Sequence, residues 1–351
     1  MKNSRPSCVA GVCLALAAQV CFAQTVAVGT CRPRLTSYSS IGAAVAAVPS
    51  GATVLVCSGI YPESPAITTP LTLRGLTTVP GTRMVYVQGI TAQASIENPI
   101  SPVNIDYLAV VGAGGPGSGS IQYNYAGGTV ENVDLSGEIA ANENVIFTDA
   151  FPLTIKNSSI HDFTGTGIST TGGAISGYSV NLVSNWISSA PGATNATGVS
   201  LEGATALIDG NTIVMNGGTS TGLSFPLAMS QSGELRDNTI IGAGAGISVG
   251  SHFNGQYVIS GNVMFNNGTG ISDGAEYSSN HDVISSNEIA QSSVEAISVA
   301  CTPFNGSTTV ENNKIINAPV GIAYVYSLDV VAGNQFYGVM TPTAACPGSA
   351  P

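Results

Sequence analysis

The sequence is poor in charge. Only 8% of its 351 residues are Asp, Glu, Lys or Arg, and nine basic residues face twenty acidic ones. A net charge of −11 with so few cations excludes the broad basic face that nucleic acid or an anionic membrane requires. It also disfavours an acidic glycan unless a cation bridges the two. Histidine is scarce, at three residues. There is no Cys-x-x-Cys and no His pair at ligand spacing, so no metal site is expected. Long hydrophobic runs are lacking as well. The 44% of hydrophobic residues are scattered in alternating fragments, and past the N-terminal segment none is long enough to span a membrane. Outside one short stretch, apolar residues three and four apart over ten or more positions are missing, which excludes helices from most of the chain.

What is present is a repeat. Ile208-Asp209-Gly210-Asn211-Thr212-Ile213 reads apolar, polar, turn residue, Asn, any residue, apolar. With the Asn slot as reference, the series runs Asp106, Val133, Ser158, Asn185, Asn211, Asn238, Asn262, Asn287, Asn313, Asn334. The steps of about 21 to 27 residues belong to stacked-coil architectures. Three before the slot lies an apolar column from Val103 to Val331, and two after it a second from Leu108 to Phe336. A third signal follows as Gly-apolar-Ser: Gly167-Ile168-Ser169, Gly198-Val199-Ser200, Gly222-Leu223-Ser224, Gly246-Ile247-Ser248 and Gly270-Ile271-Ser272. Each repeat therefore holds three short strand signals divided by Gly, Asn, Asp or Ser.

A coil of this size cannot bury its apolar residues alone; stacking on its neighbours buries them. The Asn slot falls at a tight turn beside residues that tolerate positive φ, such as Asn157, Gly210, Asp237, Gly261, Asn312 and Gly333. Asn stacked on Asn at the strand spacing of about 4.8 Å can pass amide hydrogen bonds from coil to coil. These residues are read as structural, not as a binding site.

The pattern resembles the right-handed parallel β-helix of the pectin lyase-like superfamily, and in particular its exported β-helix repeat proteins. The resemblance implies an all-β solenoid of about ten to twelve coils with a short N-terminal capping helix. The N-terminal stretch is similar to the opening of many such proteins: a Ser-Ile…Ala-Val helix at Ser39–Val48, then Thr53–Val56, Gly59-Ile60-Tyr61-Pro62-Glu63 and Leu71–Gly75. In the helix Ile41, Val45 and Val48 share one face, and Pro49-Ser50-Gly51 ends it. Such a helix plugs the stack and hides its open strand edge. Tyr61 and Glu63 look reactive in isolation, but the resemblance assigns them to this structural opening.

Residues 1–23 read as a secretory signal: Lys2 and Arg5, an apolar run from Val9 to Val20, and cleavage after Ala23. Cys21 is a poor lipoprotein acceptor, because Val20 stands where a small residue is wanted. Residues 24–100 are expected to form the cap and first coils, and residues 101–351 the repeats. Localisation is then secreted, periplasmic or at the cell surface. Cleavage leaves Cys31, Cys57, Cys301 and Cys346, which allow three pairings. Coils rising about 4.8 Å each put Cys57 and Cys301 tens of ångströms apart, whereas a disulfide needs Cα atoms within about 7 Å. The expected pairs are Cys31–Cys57 and Cys301–Cys346, one at each end.

Catalytic sets of the resembling enzymes do not carry over. After residue 100 the basic side chains are Lys156, Arg236, Lys314, His161, His252 and His281. Arg236 lacks the Asp cluster of the lyases, and no polygalacturonase Asp-Asp with Gly-His-Gly occurs. Gly112, Gly114 and Gly117 spell G-x-G-x-x-G, but Pro116 and the Ser/Gly run forbid the helix a nucleotide site needs. Glu131 with Lys156, and Asp209 with Arg236, read as cross-strand ion pairs.

One group invites chemistry. His252 lies six after Gly246 and Glu276 six after Gly270, so the two should sit on adjacent coils about 5 Å apart. Asp273 takes a slot that is apolar elsewhere, and departures from a pattern tend to be functional or strained. His252, Asp273 and Glu276 are the candidate catalytic residues, with Ser248, Ser272 and Tyr277 as candidate ligand-binding neighbours converging on one face. No cofactor is expected, and calcium finds no supporting ligand cluster. The reading is an exported, non-enzymatic surface or matrix rod or glycan-binding protein, whose partner is a polysaccharide or cell-surface glycan. The alternative is a divergent polysaccharide-active lyase or hydrolase.

Overall fold

A computed structural model describes residues 24–76, 85–111, 121–137, 144–149, 151–171, 178–226, 232–250, 255–274, 281–300, 307–325 and 328–346. The described chain is an all-β parallel solenoid. Three sheets of 14, 12 and 12 strands run its length, and each coil gives one strand to each sheet. One coil reads Thr205–Asp209, Thr212–Val214, Thr221–Phe225. The next reads Ser232–Arg236, Thr239–Ile241, Ala245–Val249. The pairings between them are parallel and in register, for example Ile208↔Leu235, Ile213↔Ile240 and Leu223↔Ile247. The core is the stack of inward columns, Ile208, Ile213, Leu223, Leu235, Ile240 and Ile247 among them, all fully buried.

From the coil of Ile100–Asp106 onward, two residues link the first sheet to the second. The first is left-handed: φ is 55° at Tyr107, 53° at Asn132, 51° at Asn157, 55° at Ser184, 64° at Gly210, 55° at Asp237, 67° at Gly261, 57° at Ser286, 56° at Asn312 and 65° at Gly333. The second is the Asn slot. Each Asn from Asn185 to Asn313 donates both its backbone N–H and its side-chain amide to the Oδ1 of the next one along the stack, at 2.9–3.0 Å. Ser158 continues the chain by donating its N–H to Asn185 Oδ1 at 3.0 Å, and its hydroxyl accepts from Val133 N at 3.1 Å.

The register differs from the sequence reading in one coil. Asp106 is not in the Asn slot. It pairs with Arg74 on one side and Glu131 on the other, two positions earlier in the coil. The slot there is Leu108, whose carbonyl accepts from Asp134 N as Asn185 O accepts from Thr212 N. The cause is the strand's period of two: Val103 and Ile105 are both buried, as are Leu108 and Val110. A slip of two residues keeps every apolar side chain on its face, so hydrophobic pattern alone cannot fix it.

The capping helix spans Ile41–Ala47, with Ser40 as N-cap accepting from Ala43 N. Its inner face is Ile41, Ala44 and Val45, and it packs over strands Thr25–Val28 and Ala52–Val56. Glu63 reaches it from the next turn, its carboxylate accepting from Ile41 N at 2.7 Å and Gly42 N at 2.9 Å. Two charge-assisted bonds at a positive helix end explain why an acid stands there. Tyr61 donates to Cys57 O at 2.9 Å. Both residues are thus part of the plug. Glu63→Ala should cost about 1–3 kcal/mol by orphaning those two N–H groups, with Glu63→Gln intermediate, as read from chemical unfolding. Cys31 and Cys57 form the expected disulfide, with Cα atoms 5.8 Å apart. Cys346 is buried at the far end; Cys301 lies outside the described residues, as do residues 1–23.

Candidate functional site

The candidate serines lie on the outer wall of the third sheet. Ser200, Ser224, Ser248, Ser272 and Ser298 pair in register on successive coils. Asp273 does not join them. It pairs with Val249 and Val299 and points into the solenoid, 3% exposed. Its Oδ2 accepts from Thr308 Oγ1 at 2.7 Å. Nearby, fully buried Asp282 accepts from Tyr257 N at 2.7 Å, and Thr308 N donates to Asp329 Oδ1 at 2.9 Å. Burial, then the charges of Asp282 and Asp273, push the Tyr257 hydroxyl pKa up. The expected one-face convergence of Asp273 with Ser248 and Ser272 therefore does not form, because neighbouring residues of a strand face opposite sides. His252, Glu276 and Tyr277 lie outside the described residues.

Most charges on the sheets are paired across coils. Lys156 meets Glu131 at 3.0 Å, Arg236 meets Asp209 at 3.0 Å and, on its own strand, Glu234 at 2.7 Å, Arg74 meets Asp106 at 3.3 Å, and Lys314 meets Glu288 at 3.2 Å. Partial burial is the largest influence on Asp106 and raises its carboxyl pKa against the pull of Asn132 and Arg74. Among the described residues no group of three or more His, Cys, Asp or Glu is placed to hold a metal ion. An apolar depression of about 410 Å³ at the N-terminal end is lined by Ile60, Tyr61, Pro62, Tyr86, Val87, Gln88 and Val111. Its one ionisable pair of groups, the Tyr61 and Tyr86 phenols, offers no base.

A group that sequence reading passed over sits on the outer face of the second sheet. Asp134, Ser159, Trp186 and Thr212 form one outward column on four successive coils. Ser136, His161 and Ser188 form the parallel one. His161 Nε2 lies 3.2 Å from Asp134 Oδ1, and Nδ1 lies 2.7 Å from Asp162 Oδ2. A neutral imidazole donates to one of these, an imidazolium to both. Asp162 reaches back because it is left-handed, φ 59°, in a bulge between His161 and Phe163. Bulges re-aim side chains in this way. The His161 ring lies 6.2 Å from that of Trp186, whose surface is 47% exposed. The register was legible: His161 follows inward Ile160, and Asp134 and Trp186 precede inward Leu135 and Ile187. The bulge that brings Asp162 in was not.

A family model described as "Right handed beta helix region" matches residues 175–336. No curated protein matches in sequence. Solved structures share the fold at low identity. The catalytic unit of the GH87 α-1,3-glucanase from Streptomyces thermodiastaticus is 15% identical, with a TM-score of 0.53 over 88% of this chain and 66% of its own. The Streptococcus pneumoniae surface protein and adhesin PfbA is 13% identical, with a TM-score of 0.53 over 88% of this chain and 94% of its own. DFA-IIIase from Arthrobacter chlorophenolicus is 14% identical, with a TM-score of 0.52 over 93% and 99%. At such identities the likeness is one of fold. The fold hosts both glycan-acting enzymes and an adhesin.

Proposed function

We propose that this chain is an exported, non-catalytic β-helix rod that binds glycans on its outer walls. The observation that carries the reading is the direction of Asp273. The acid expected to serve chemistry is turned into the core and held by Thr308, while the wall outside it is a ladder of serine hydroxyls. The cations Arg74, Lys156, Arg236 and Lys314 are each engaged by a carboxylate on a neighbouring strand, so none stands ready as the base of a lyase. Hydroxyls and amides on a rigid frame suit recognition without turnover. The Cys31–Cys57 disulfide and the signal-like residues 1–23 support export.

The test uses the chain from residue 24 onward. It should co-sediment with an insoluble polysaccharide and release neither unsaturated uronides from pectate, with or without calcium, nor reducing ends from neutral glucans and xylans. Product formation abolished by His252→Ala or Asp273→Asn would favour the divergent polysaccharide-active enzyme instead.

A further inference from the structure

The exposed indole of Trp186 stands on the outer face of the second sheet with polar neighbours in its own column. Its in-column neighbours are Ser159 and Thr212, Ser188 lies in the parallel column, and His161 with its two carboxylates closes one side. A large aromatic left about half exposed forgoes burial that an inward position would give it. Val214, paired with Ser188 on the following coil, begins an outward apolar column that runs through Ile241 to Phe265, but the indole's own in-column neighbours and the His161 side are hydrogen-bonding groups, unlike the broad contiguous apolar patches that dock proteins. A ligand that fits must be apolar on one flat face and rich in hydroxyls around its rim. A sugar ring has that form: its axial C–H groups can lie on the indole while its equatorial hydroxyls meet the ring of Ser, Thr and Asp side chains. Resting on the glycan-binding reading above, we propose that Trp186, His161, Asp134 and Asp162 form a saccharide site on the second sheet that takes a neutral sugar unit.

The geometry supplies both halves of the selectivity. The carboxylates of Asp134 and Asp162 accept hydrogen bonds from sugar hydroxyls and repel a uronate. His161 holds them in place, bridging from the middle coil to Asp134 on the coil before and to Asp162 across the bulge. Successive coils at about 4.8 Å put Ser159 and Thr212 on either side of the indole. The bound ring is thus met from both ends along the rod axis.

Trp186 is the only tryptophan in the chain, so its emission reports on this site and no other. Titration with cello-, xylo-, manno-, malto- and chito-hexaose should give a saturable change in emission with at least one of them, and none with hexagalacturonate. By calorimetry, Trp186→Ala should weaken that binding at least tenfold, with its circular dichroism unchanged. Asp134→Asn combined with Asp162→Asn should relax the discrimination against hexagalacturonate. Emission that answers only to hexagalacturonate or to tetramethylammonium, the latter a sign of a cation site, would overturn the proposal, as would silence towards every neutral oligosaccharide. If the chain co-sediments with a polysaccharide yet Trp186→Ala binds as well as the parent, this site is wrong and the glycan-binding reading stands. If nothing binds in either assay, both fall.

Discussion

Asn238→Leu should destabilise the protein by about 3–5 kcal/mol. Asn238 is fully buried in the middle of the ladder. Its Oδ1 accepts from Asn211 N at 2.9 Å and Asn211 Nδ2 at 3.0 Å, and its own Nδ2 donates to Ile208 O at 2.8 Å and Asn262 Oδ1 at 2.9 Å. Leucine has the volume but none of these bonds. Two donors of Asn211 lose their acceptor and the Ile208 carbonyl loses a donor, all away from water. A buried polar group left unsatisfied costs about 1–3 kcal/mol, and the three act in one site. The comparison is Asn195→Leu in an exposed loop. Asn195 is left-handed, φ 60°, so leucine there should cost about 1 kcal/mol through backbone strain alone. Chemical unfolding of both variants checks the difference; equal midpoints would remove the ladder from the account of stability.

The same ladder shows how far sequence could go. A buried Asn every 21–27 residues is costly unless its partner is another Asn, so the column announces a stack. Where the column lapses into Leu108 and Val133, both fully buried, the polar signal that fixes register disappears and only alternation remains. That is why Asp106 fell two places out of step. The turn before the slot was legible where it held Gly, Asn or Asp. Tyr107 and Ser184 adopt the same left-handed φ of 55° without any such sign.

The candidate site was less legible, for a related reason. A carboxyl in an apolar column marks a departure from pattern, but not the side from which it is satisfied. Asp273 is met from within by Thr308, itself an inward polar residue, 3% exposed, in the column of fully buried Asp282. The two departures explain each other across the core, and sequence shows that only once the register of both strands is known. On the second sheet the reverse holds. Asp134, His161 and Trp186 obey the outward pattern and so raise no alarm, although they meet in one patch.

The glycine in second place of the third-sheet strands Thr221–Phe225, Ala245–Val249 and Thr269–Asp273 gives the second large expected effect. Gly222→Val should cost about 3 kcal/mol or more, at the upper end of overpacking. A Cβ on Gly222 would stand 2.6 Å from Gly246 O and 2.7 Å from Ile240 Cγ2. The same approach recurs along the column: a Cβ on Gly198 would meet Gly222 O at 2.6 Å, and one on Gly246 would meet Gly270 O at 2.5 Å. The offending atom is a backbone oxygen in each case, fixed by the stack, so it cannot swing aside as a side chain can. Ile240 is no freer, being fully buried. Ala296 occupies the column after Gly270 and is itself buried, so a lone methyl can be absorbed, and Gly222→Ala should be the milder change. Valine adds two more carbons at a point closed by the next coil on one side and by the second sheet on the other. Relief requires the coils to part, which breaks the parallel pairs Leu223↔Ile247 and Ser224↔Ser248. Hydrogen exchange should then show the loss of protection centred on strands Thr221–Phe225 and Ala245–Val249, with the capping helix unaffected. A Gly222→Val protein with parent-like unfolding would mean that the close approach of the coils is not what selects glycine there.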